Sequence, residues 1–402
     1  MSMRVRWMTA TVSLALGALV AGTHGGCAAV HRPPATPASI AADGAAAAAA
    51  HEATTARLID GLARRAAARR DRALDLLLLS GGGQHGAYGI GFLRGWRARP
   101  DAPMPRFDLV TGVSTGALQA PFALLGTEAA LDAAATLYRD AAGRSAPTMD
   151  WLFWLRRTGG VVDTARYRRA IATAILSERM RDELWVELDA GRQLATATTD
   201  LDLGIGRVWD LGRELRGGAG GPERVESVLL ATTAIPGVFP PVVIDGHVHA
   251  DGGLVSNVLP VLDFEGARRL AARLRALGVT EPVTVRIWVV MNLWTHPRPV
   301  VIDPASRGQI ADRGSLLLFW TQQPQIPERL GDLARAVSAG VPGLRIEVRY
   351  TAIPPELAGE PGAAAEADEA WMRRLDQLGY DRARGATPWD EVVSPYRRPP
   401  AQ

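Results

Sequence analysis

The sequence predicts an α/β protein built as a three-layer α/β/α sandwich with a mainly parallel central sheet. Apolar runs of strand length alternate with amphipathic stretches of helix length, and the strand-like runs are apolar along their whole length. Such strands, separated by helices, are typical of a parallel sheet that is covered on both faces. With 402 residues, of which 47% are hydrophobic, the chain can bury a large core.

The predicted elements follow this alternation in order. Strands are expected at residues 74–79, 107–110, 193–198, 207–211, 241–244, 284–292 and 344–350. Helices are expected at residues 86–97, 114–125, 128–140, 164–176, 224–233, 264–276, 327–339 and 367–377. Asp245 and Gly246 form an Asp-Gly pair, which predicts a tight hairpin turn before a returning strand. His247 and His249 alternate on that strand, so their side chains should share one face.

The N-terminal segment has the composition of an export signal. Arg4 and Arg6 precede an apolar run at residues 8–22, which predicts a signal peptide over residues 1–29. Cys27, the only cysteine, resembles a bacterial lipobox cysteine that becomes lipidated, whereas ordinary cleavage after Ala29 would remove it. We therefore expect an exported protein, anchored by lipid in the cell envelope at the periplasmic face of the outer membrane.

The following residues change in composition twice. Residues 31–50 are rich in Pro and Ala and nearly uncharged, which predicts a tether, and residues 51–70 have helical composition. Tether and leading helix together occupy residues 30–70. We expect the folded domain at residues 71–402, with a motif-bearing core at 74–260 and a C-terminal extension of the same domain at 261–402.

The charge pattern argues against a nucleic-acid partner. The formal net charge is only +3, and all 45 basic side chains are arginine. The arginine clusters at residues 64–70 and 156–157 are not interleaved with aromatic residues as a nucleic-acid surface would be. The oligomeric state is not predicted by the sequence.

A serine lies between a predicted strand and a predicted helix. The segment from Gly112 through Ser114 to Gly116 fits the pattern G-x-S-x-G. A serine on a sharp strand-to-helix turn exposes its hydroxyl, and glycines two residues away on either side leave room for that turn. The helix start beneath it offers unpaired N–H groups. The pattern predicts Ser114 as a catalytic nucleophile.

Three consecutive glycines, Gly81, Gly82 and Gly83, follow the first predicted strand. Glycine lets backbone N–H groups approach an anion closely. Because neighbouring parallel strands end at one edge of a sheet, this turn should lie near Ser114 and form an oxyanion hole. A phosphate-binding loop is the alternative, but the segment lacks the lysine of a P-loop and the acidic residue of a dinucleotide fingerprint.

The proton acceptor for Ser114 has two candidate types. Asp251, followed by Gly252 and Gly253, ends the strand after the hairpin, and burial there would raise the proton affinity of its carboxylate. A Ser-His-Asp triad is the alternative. The histidines after Ser114 that could serve it are His247, His249 and His296. No third ligand accompanies the two hairpin histidines at metal-binding spacing, so no metal is expected.

Four segments resemble the motifs of patatin-like phospholipases in order and approximate spacing. They are LSGGGQHGAYGIGFL, TGVSTGAL, ATTAIPGVFPPV and ADGGLVSN, and the resemblance covers about residues 74–260. It implies a patatin-like α/β/α fold and a Ser–Asp dyad in which Ser114 matches the nucleophile and Asp251 the base, with the three glycines as oxyanion loop. It also implies a lipid ester or phospholipid substrate and no metal or organic cofactor.

One position departs from the family pattern. His85 stands two residues after the third glycine, where the family often carries Arg or Lys. A histidine there could hold an anion only when protonated, and otherwise it packs against the turn. Two further hypotheses remain open beside the dyad enzyme: an esterase with a Ser-His-Asp triad, and an inactive lipid-binding lipoprotein of the envelope.

Overall fold

The computed structural model describes residues 32–140, 146–151, 153–156, 158–364, 367–393 and 396–397. The strands are β1 (Ala73–Leu79), β2 (Leu109–Gly112), β3 (Thr148–Met149), β4 (Val162–Asp163), β5 (Gln193–Asp200), β6 (Ile205–Asp210), β7 (Val242–Ile244), β8 (His247–Asp251), β9 (Val283–Met291) and β10 (Leu344–Ala352). The helices are α1 (Pro37–Ala68), α2 (Gly86–Arg97), α3 (Thr115–Leu125), α4 (Glu128–Asp140), α5 (Phe153–Arg156), α6 (Ala165–Ile175), α7 (Glu178–Asp189), α8 (Leu211–Leu215), α9 (Gly221–Thr232), α10 (Phe264–Ala276), α11 (Arg307–Trp320), α12 (Gln322–Gly340) and α13 (Glu369–Arg384).

Within these ranges, eight strands form one sheet, in the order β10-β9-β1-β2-β5-β8-β7 with β6 paired to β5. The strands β1, β2, β5, β9 and β10 run parallel to one another, and β6, β7 and β8 are antiparallel to their neighbours. The pair β3–β4 forms a separate antiparallel ribbon. The prediction of a mainly parallel sheet is confirmed.

Strand β1 shows why the sheet is covered on both faces. All seven of its residues are buried. Leu77 and Leu79 belong to a core cluster with residues of α2, α3, α4 and α9, whereas Leu74, Leu76 and Leu78 belong to one with α1, α10 and α12. Because successive strand residues point to opposite faces, this division requires a helical layer on each side. The three-layer α/β/α prediction is therefore confirmed.

The predicted hairpin is also present. Ile244 pairs with His247 across a two-residue turn in which Asp245 and Gly246 have φ angles of 54° and 85°. Two positive φ angles in a two-residue loop define the tight turn that the Asp-Gly pair predicts.

The leading helix is longer than predicted. Helix α1 begins at Pro37, where Thr36 accepts a hydrogen bond from the Ser39 N–H at 3.1 Å, and it continues to Ala68. The prediction of a tether over residues 31–50 is thus wrong from Pro37 onward. Alanine has the highest helix propensity of all residues, and that property outweighs the absence of a core-forming pattern in this stretch.

Buried ion pairs fix the end of α1 to the sheet. Arg65 and Arg69 each contact the Asp108 carboxylate, at 2.9 and 3.0 Å, and Asp108 is fully buried. The same carboxylate accepts a hydrogen bond from the Asp75 N–H at 2.9 Å. Asp108 precedes β2, at the edge of the sheet opposite Ser114, so its carboxylate has a structural role.

Replacing Asp108 with alanine is expected to lower the free energy of unfolding by about 3 kcal/mol, because two arginines and a buried amide lose their acceptor. Urea unfolding of the purified variant measures this loss. Asp71→Ala is the matched control: the Asp71 side chain is 56% exposed, pairs at the surface with Arg69 and accepts from the Ala73 N–H at 3.3 Å. The loss in free energy of unfolding for Asp71→Ala should stay below about 1 kcal/mol. Equal losses in the two variants would contradict the structural role of Asp108.

The segment after residue 260 joins the same sheet. Strands β9 and β10 lie beside β1, with β9 paired to it along seven residues. Helix α13 packs against α2, the helix that follows the three glycines. The C-terminal extension therefore supports the elements that carry the sequence motifs.

The predicted signal peptide and Cys27 lie outside the described residues. Of the helices in the described ranges, none combines the length and the apolarity that crossing a bilayer would need.

Candidate active site

Ser114 lies on the sharp turn between β2 and α3. Its backbone has φ 52° and ψ −125°, a left-handed conformation that costs a residue other than glycine about 1–3 kcal/mol. The Ser114 N–H donates to the Thr232 hydroxyl at 3.1 Å, and that hydroxyl donates to the Ala197 carbonyl at 2.6 Å. These hydrogen bonds hold the strained residue in place, 7% exposed, at the carboxyl edge of the sheet.

The two glycines that flank Ser114 are required by close backbone approach. A Cβ atom on Gly112 would lie 2.1 Å from the Gly116 carbonyl oxygen, and one on Gly116 would lie 2.3 Å from the Leu79 carbonyl oxygen. Because neither neighbour is a flexible side chain, only glycine fits at either position. This is the steric reason that the sequence pattern anticipates.

Asp251 lies near Ser114 because of the register in which β2 and β8 pair with β5. Gly112 of β2 is the partner of Thr196, and Asp251 of β8 is the partner of Thr198, two residues farther along β5. Strand β6 occupies the opposite edge of β5 at both positions, so β2 and β8 share one edge. The end of β8 therefore meets the turn that follows β2, and the Asp251 carboxyl lies close enough to the Ser114 hydroxyl for that hydroxyl to lower its pKa.

The Asp251 carboxyl is buried and held by few groups. Its side chain accepts from the Gly253 N–H at 2.7 Å, and its backbone N–H donates to the Ala234 carbonyl at 2.9 Å. A Cβ on Gly252 would lie 2.4 Å from the Ala197 carbonyl oxygen, which explains the first glycine of the pair. Burial raises the pKa of Asp251 to about 6, although the hydrogen bonds from Ser114 and Gly253 lower it in part.

We expect ester turnover to fall as the pH drops below about 6, because a protonated Asp251 cannot accept the Ser114 proton. The loss should follow the uptake of a single proton in a profile of kcat/KM against pH. A profile that stays flat between about pH 8 and pH 5 would contradict this assignment of the base.

The glycine loop divides into an anchor and two free donors. The Gly81 N–H donates to the Asn257 carbonyl at 3.2 Å. The N–H groups of Gly82 and Gly83 meet no acceptor among the described residues. A Cβ on Gly82 would lie 2.2 Å from the Asn292 carbonyl oxygen, and Gly83 has a φ of 56°. Of the three glycines predicted to supply oxyanion donors, Gly81 therefore has its N–H occupied, whereas those of Gly82 and Gly83 are available.

Two residues near this loop were missed in the sequence analysis. The Thr115 N–H, at the first position of α3, has no acceptor among the described residues, and Thr115 lines the cavity. Asn257 holds Gly81 through its carbonyl and donates from Nδ2 to Gln323 at 2.8 Å. The Thr115 donor could have been predicted from G-x-S-x-G itself, since the residue after the nucleophile often supplies an oxyanion donor. Asn257 is the last residue of the ADGGLVSN segment.

Ser114 and Asp251 open into an apolar cavity of about 610 Å³. Its walls come mainly from α3, α4, α6 and the loop after α9. The large apolar side chains that line it are Leu118, Phe122, Leu137, Ile171, Ile175 and Phe239. This volume and lining suit an acyl chain with its carbonyl carbon beside the serine.

His85 lies in the cavity wall as a buried imidazole. Its Nδ1 lies 2.8 Å from the Gly82 carbonyl oxygen, which also accepts from the His85 backbone N–H at 3.1 Å. Trp294 and Trp371 contact its ring edge-on, with centroids at 5.1 and 6.1 Å. Burial lowers the pKa of His85, which favours a neutral ring that donates to Gly82. The ring thus holds the Gly82–Gly83 peptide.

Replacing His85 with leucine is expected to lower kcat about tenfold with KM nearly unchanged, because the loop loses one fixed donor to Gly82. Asparagine, whose amide can still donate, should retain more of the rate. Steady-state kinetics on a soluble ester measure both variants, and equal losses for leucine and asparagine would overturn the positioning role.

The three histidines proposed for a triad do not line the cavity. His247 pairs through Nδ1 with Asp200 at 2.8 Å. His249 and His296 each contact a neighbouring threonine hydroxyl through Nδ1 at 3.0 Å. Among the described residues, His85 is the one histidine in the cavity wall. The geometry therefore favours a carboxylate base.

Among the described residues, one group of potential metal ligands lies outside the cavity. Asp200, Asp202 and His247 place ligand atoms within 4.8 Å of one another. These side chains are already paired, since Arg32 contacts Asp202 at 2.6 Å and His247 contacts Asp200. The group joins the segment before α1 to the end of β5.

The sequence matches one known protein family over the segment that carries the motifs. Residues 77–264 match the model of the family described as patatin-like phospholipase. No curated protein matches the sequence. Among solved structures, the chain is similar to VipD from Legionella pneumophila, with 13% identity and a TM-score of 0.32 over 77% of this chain and 66% of that one. The match thus spans just under two thirds of the VipD chain. The similarity to the patatin-like phospholipase family therefore covers residues 77–264 of this protein.

Proposed function

We propose that this protein is a serine acyl hydrolase that cleaves the carboxylic ester bonds of lipids through a Ser114–Asp251 dyad. The main support is that β2 and β8 pair with the same side of β5. This pairing brings the serine hydroxyl and a buried carboxylate together in an apolar cavity. The similarity to the patatin-like phospholipase family supports the same class of reaction.

The proposed reaction begins when Asp251 accepts the Ser114 proton as the serine oxygen attacks the ester carbonyl carbon. The carbonyl oxygen becomes an anion, which the free N–H groups of Gly82 and Gly83 stabilise. The leaving alcohol then takes the proton from Asp251. Water next attacks the acyl-serine, giving its proton to Asp251, and the fatty acid leaves as Ser114 regains its proton.

The substrate is proposed from the cavity and the domain together. Apolar walls receive an acyl chain, so the class extends to phospholipids, lysophospholipids and other lipid esters. Export and lipidation at Cys27 in the outer membrane remain part of the proposal, because they would hold the enzyme at its substrate.

A fluorophosphonate probe tests the proposal on the full chain. We expect the wild-type protein to be labelled and Ser114→Ala to be unlabelled, while Ser227→Ala, at a half-buried serine of α9, is labelled normally. Labelling should be accompanied by hydrolysis of lipid esters. Folded wild-type protein that is never labelled would favour the inactive lipid-binding hypothesis. Complete loss of activity on replacing His247, His249 or His296 would favour the triad.

A further inference from the structure

We propose that exposed apolar side chains around the cavity mouth form a docking surface for a lipid bilayer. This surface, the apolar rim, is defined by its side chains: Met149, Trp151, Phe153, Ile235, Leu254 and Val255. The inference rests on the proposed function for what enters the cavity, but binding to a lipid surface can be measured without any turnover.

The exposure of the rim is unusual for large apolar side chains. Trp151 is 82% exposed, and Met149 and Phe153 are 50% and 42% exposed. Ile235 and Leu254 are exposed and also line the cavity. Single exposed apolar residues need no explanation, but a group at the mouth of an apolar cavity marks an interaction site. Tryptophan favours the interface between lipid and water.

Backbone hydrogen bonds join the segments that carry the rim. The N–H groups of Val161 and Val162 donate to the Val238 carbonyl at 2.9 and 3.2 Å, which attaches the β3–β4 ribbon to the loop of Ile235. The Asp251 N–H donates to the Ala234 carbonyl, which attaches that loop to the turn Gly252–Leu254. The rim is therefore continuous with the wall that holds the reacting groups.

The position at which the N-terminal segment joins the domain supports a bilayer as the occupant. Arg32 pairs with Asp202, which follows the carboxyl end of β5. Because β1, β2 and β5 are parallel, this is the edge that also carries Ser114 and the glycine loop. The preceding residues include the apolar run 8–22, and Cys27 is five residues from Arg32, at most about 18 Å of chain. A membrane attachment there would hold the rim toward the lipid.

Two arginines beside the rim, among the residues that the structure describes, are already paired. Arg156 contacts Asp150 at 3.3 Å, and Arg32 contacts Asp202. Binding should therefore depend on burial of apolar surface and change little with salt, unlike an electrostatic attraction to anionic lipids. Phosphatidylcholine vesicles with and without anionic lipid should bind alike.

Quenching by brominated phosphatidylcholine tests the contact on the full chain. Bromine quenches nearby tryptophan, so Trp151→Phe should remove a quenched component that Trp185→Phe, a matched change on α7, leaves intact. Because the readout is local, it separates rim contact from binding through the N-terminal segment. Quenching that Trp151→Phe does not reduce would overturn the proposal.

A second measurement compares two substrates. The double variant Trp151→Ser/Phe153→Ser should hydrolyse vesicle-borne ester about tenfold more slowly, because less apolar surface enters the bilayer. Its hydrolysis of a soluble short-chain ester should remain within about twofold of wild type. Leu277→Ser is the control, since Leu277 is 49% exposed but lies after α10, toward the opposite edge of the sheet.

The outcomes separate the two proposals. Equal losses on both substrates would overturn the docking surface, as would a dimer in sedimentation that the rim variant dissociates, because the occupant would then be a second copy of this chain. Quenching at Trp151 without hydrolysis of any ester would retain the docking surface and reject the hydrolase.

Discussion

Replacing Ser114 with alanine or Asp251 with asparagine is expected to lower kcat/KM for a soluble ester by at least about 10⁴-fold, because nucleophile and base act as a unit. The double variant should be little worse than either single variant. Steady-state kinetics of all three proteins test this, with circular dichroism to confirm folding. Additive losses would contradict a dyad.

The same asparagine variant should be more stable than wild type at neutral pH. The folded-state pKa of Asp251, about 6, lies above the ordinary aspartate pKa of 3.8, so the contribution of this carboxyl to stability is complete below pH 3.8 and is lost as the pH rises through 6. Asparagine never ionises and avoids this loss. The free energy of unfolding of the variant, relative to wild type, should increase by about 3 kcal/mol between about pH 4 and pH 8. Urea unfolding at both values measures it, and a constant difference would mean that the carboxyl is not desolvated.

Gly82→Ala is expected to lower kcat by about 10²–10³-fold, because the new Cβ, 2.2 Å from the Asn292 carbonyl oxygen, must displace an oxyanion donor. Steady-state kinetics on a soluble ester measure this loss. KM should change less than kcat, since the apolar walls remain.

Gly278→Ala is the matched control for this change. Gly278 has a φ of 75° and open space around it after α10. The Gly278→Ala substitution should lower the free energy of unfolding by about 1 kcal/mol and leave activity unchanged. Full activity of Gly82→Ala would remove the glycine loop from the proposed mechanism.

The fold could be predicted because its signals are local. Apolar runs and amphipathic stretches specify strands and helices residue by residue, and the alternation between them specifies the parallel sheet. The turns at Ser114 and at Asp245-Gly246 could be predicted for the same reason, since each depends on a few neighbouring residues. Helix α1 extends over residues 37–50, where a tether is predicted, because the helix propensity of alanine outweighs the lack of a core-forming pattern.

The rest of the site depends on contacts between distant segments. No local pattern reveals that Asn257 takes the Gly81 N–H, or that Trp294 and Trp371 enclose His85 and keep it neutral. The approach of Asp251 to Ser114 follows from the register of β5 with two other strands, so sequence motifs could suggest it only through family resemblance. Tertiary packing decides which of the predicted groups are free to react.

The position of β9 beside β1 has a practical consequence for expression of the domain. A fragment cut to the residues that match the family model, 77–264, would lose part of β1 and all of β9 and β10. What remains of β1, a strand of buried leucines, would become an open edge able to pair with other molecules. Such a fragment should aggregate, so truncations of this protein should retain everything through Arg384.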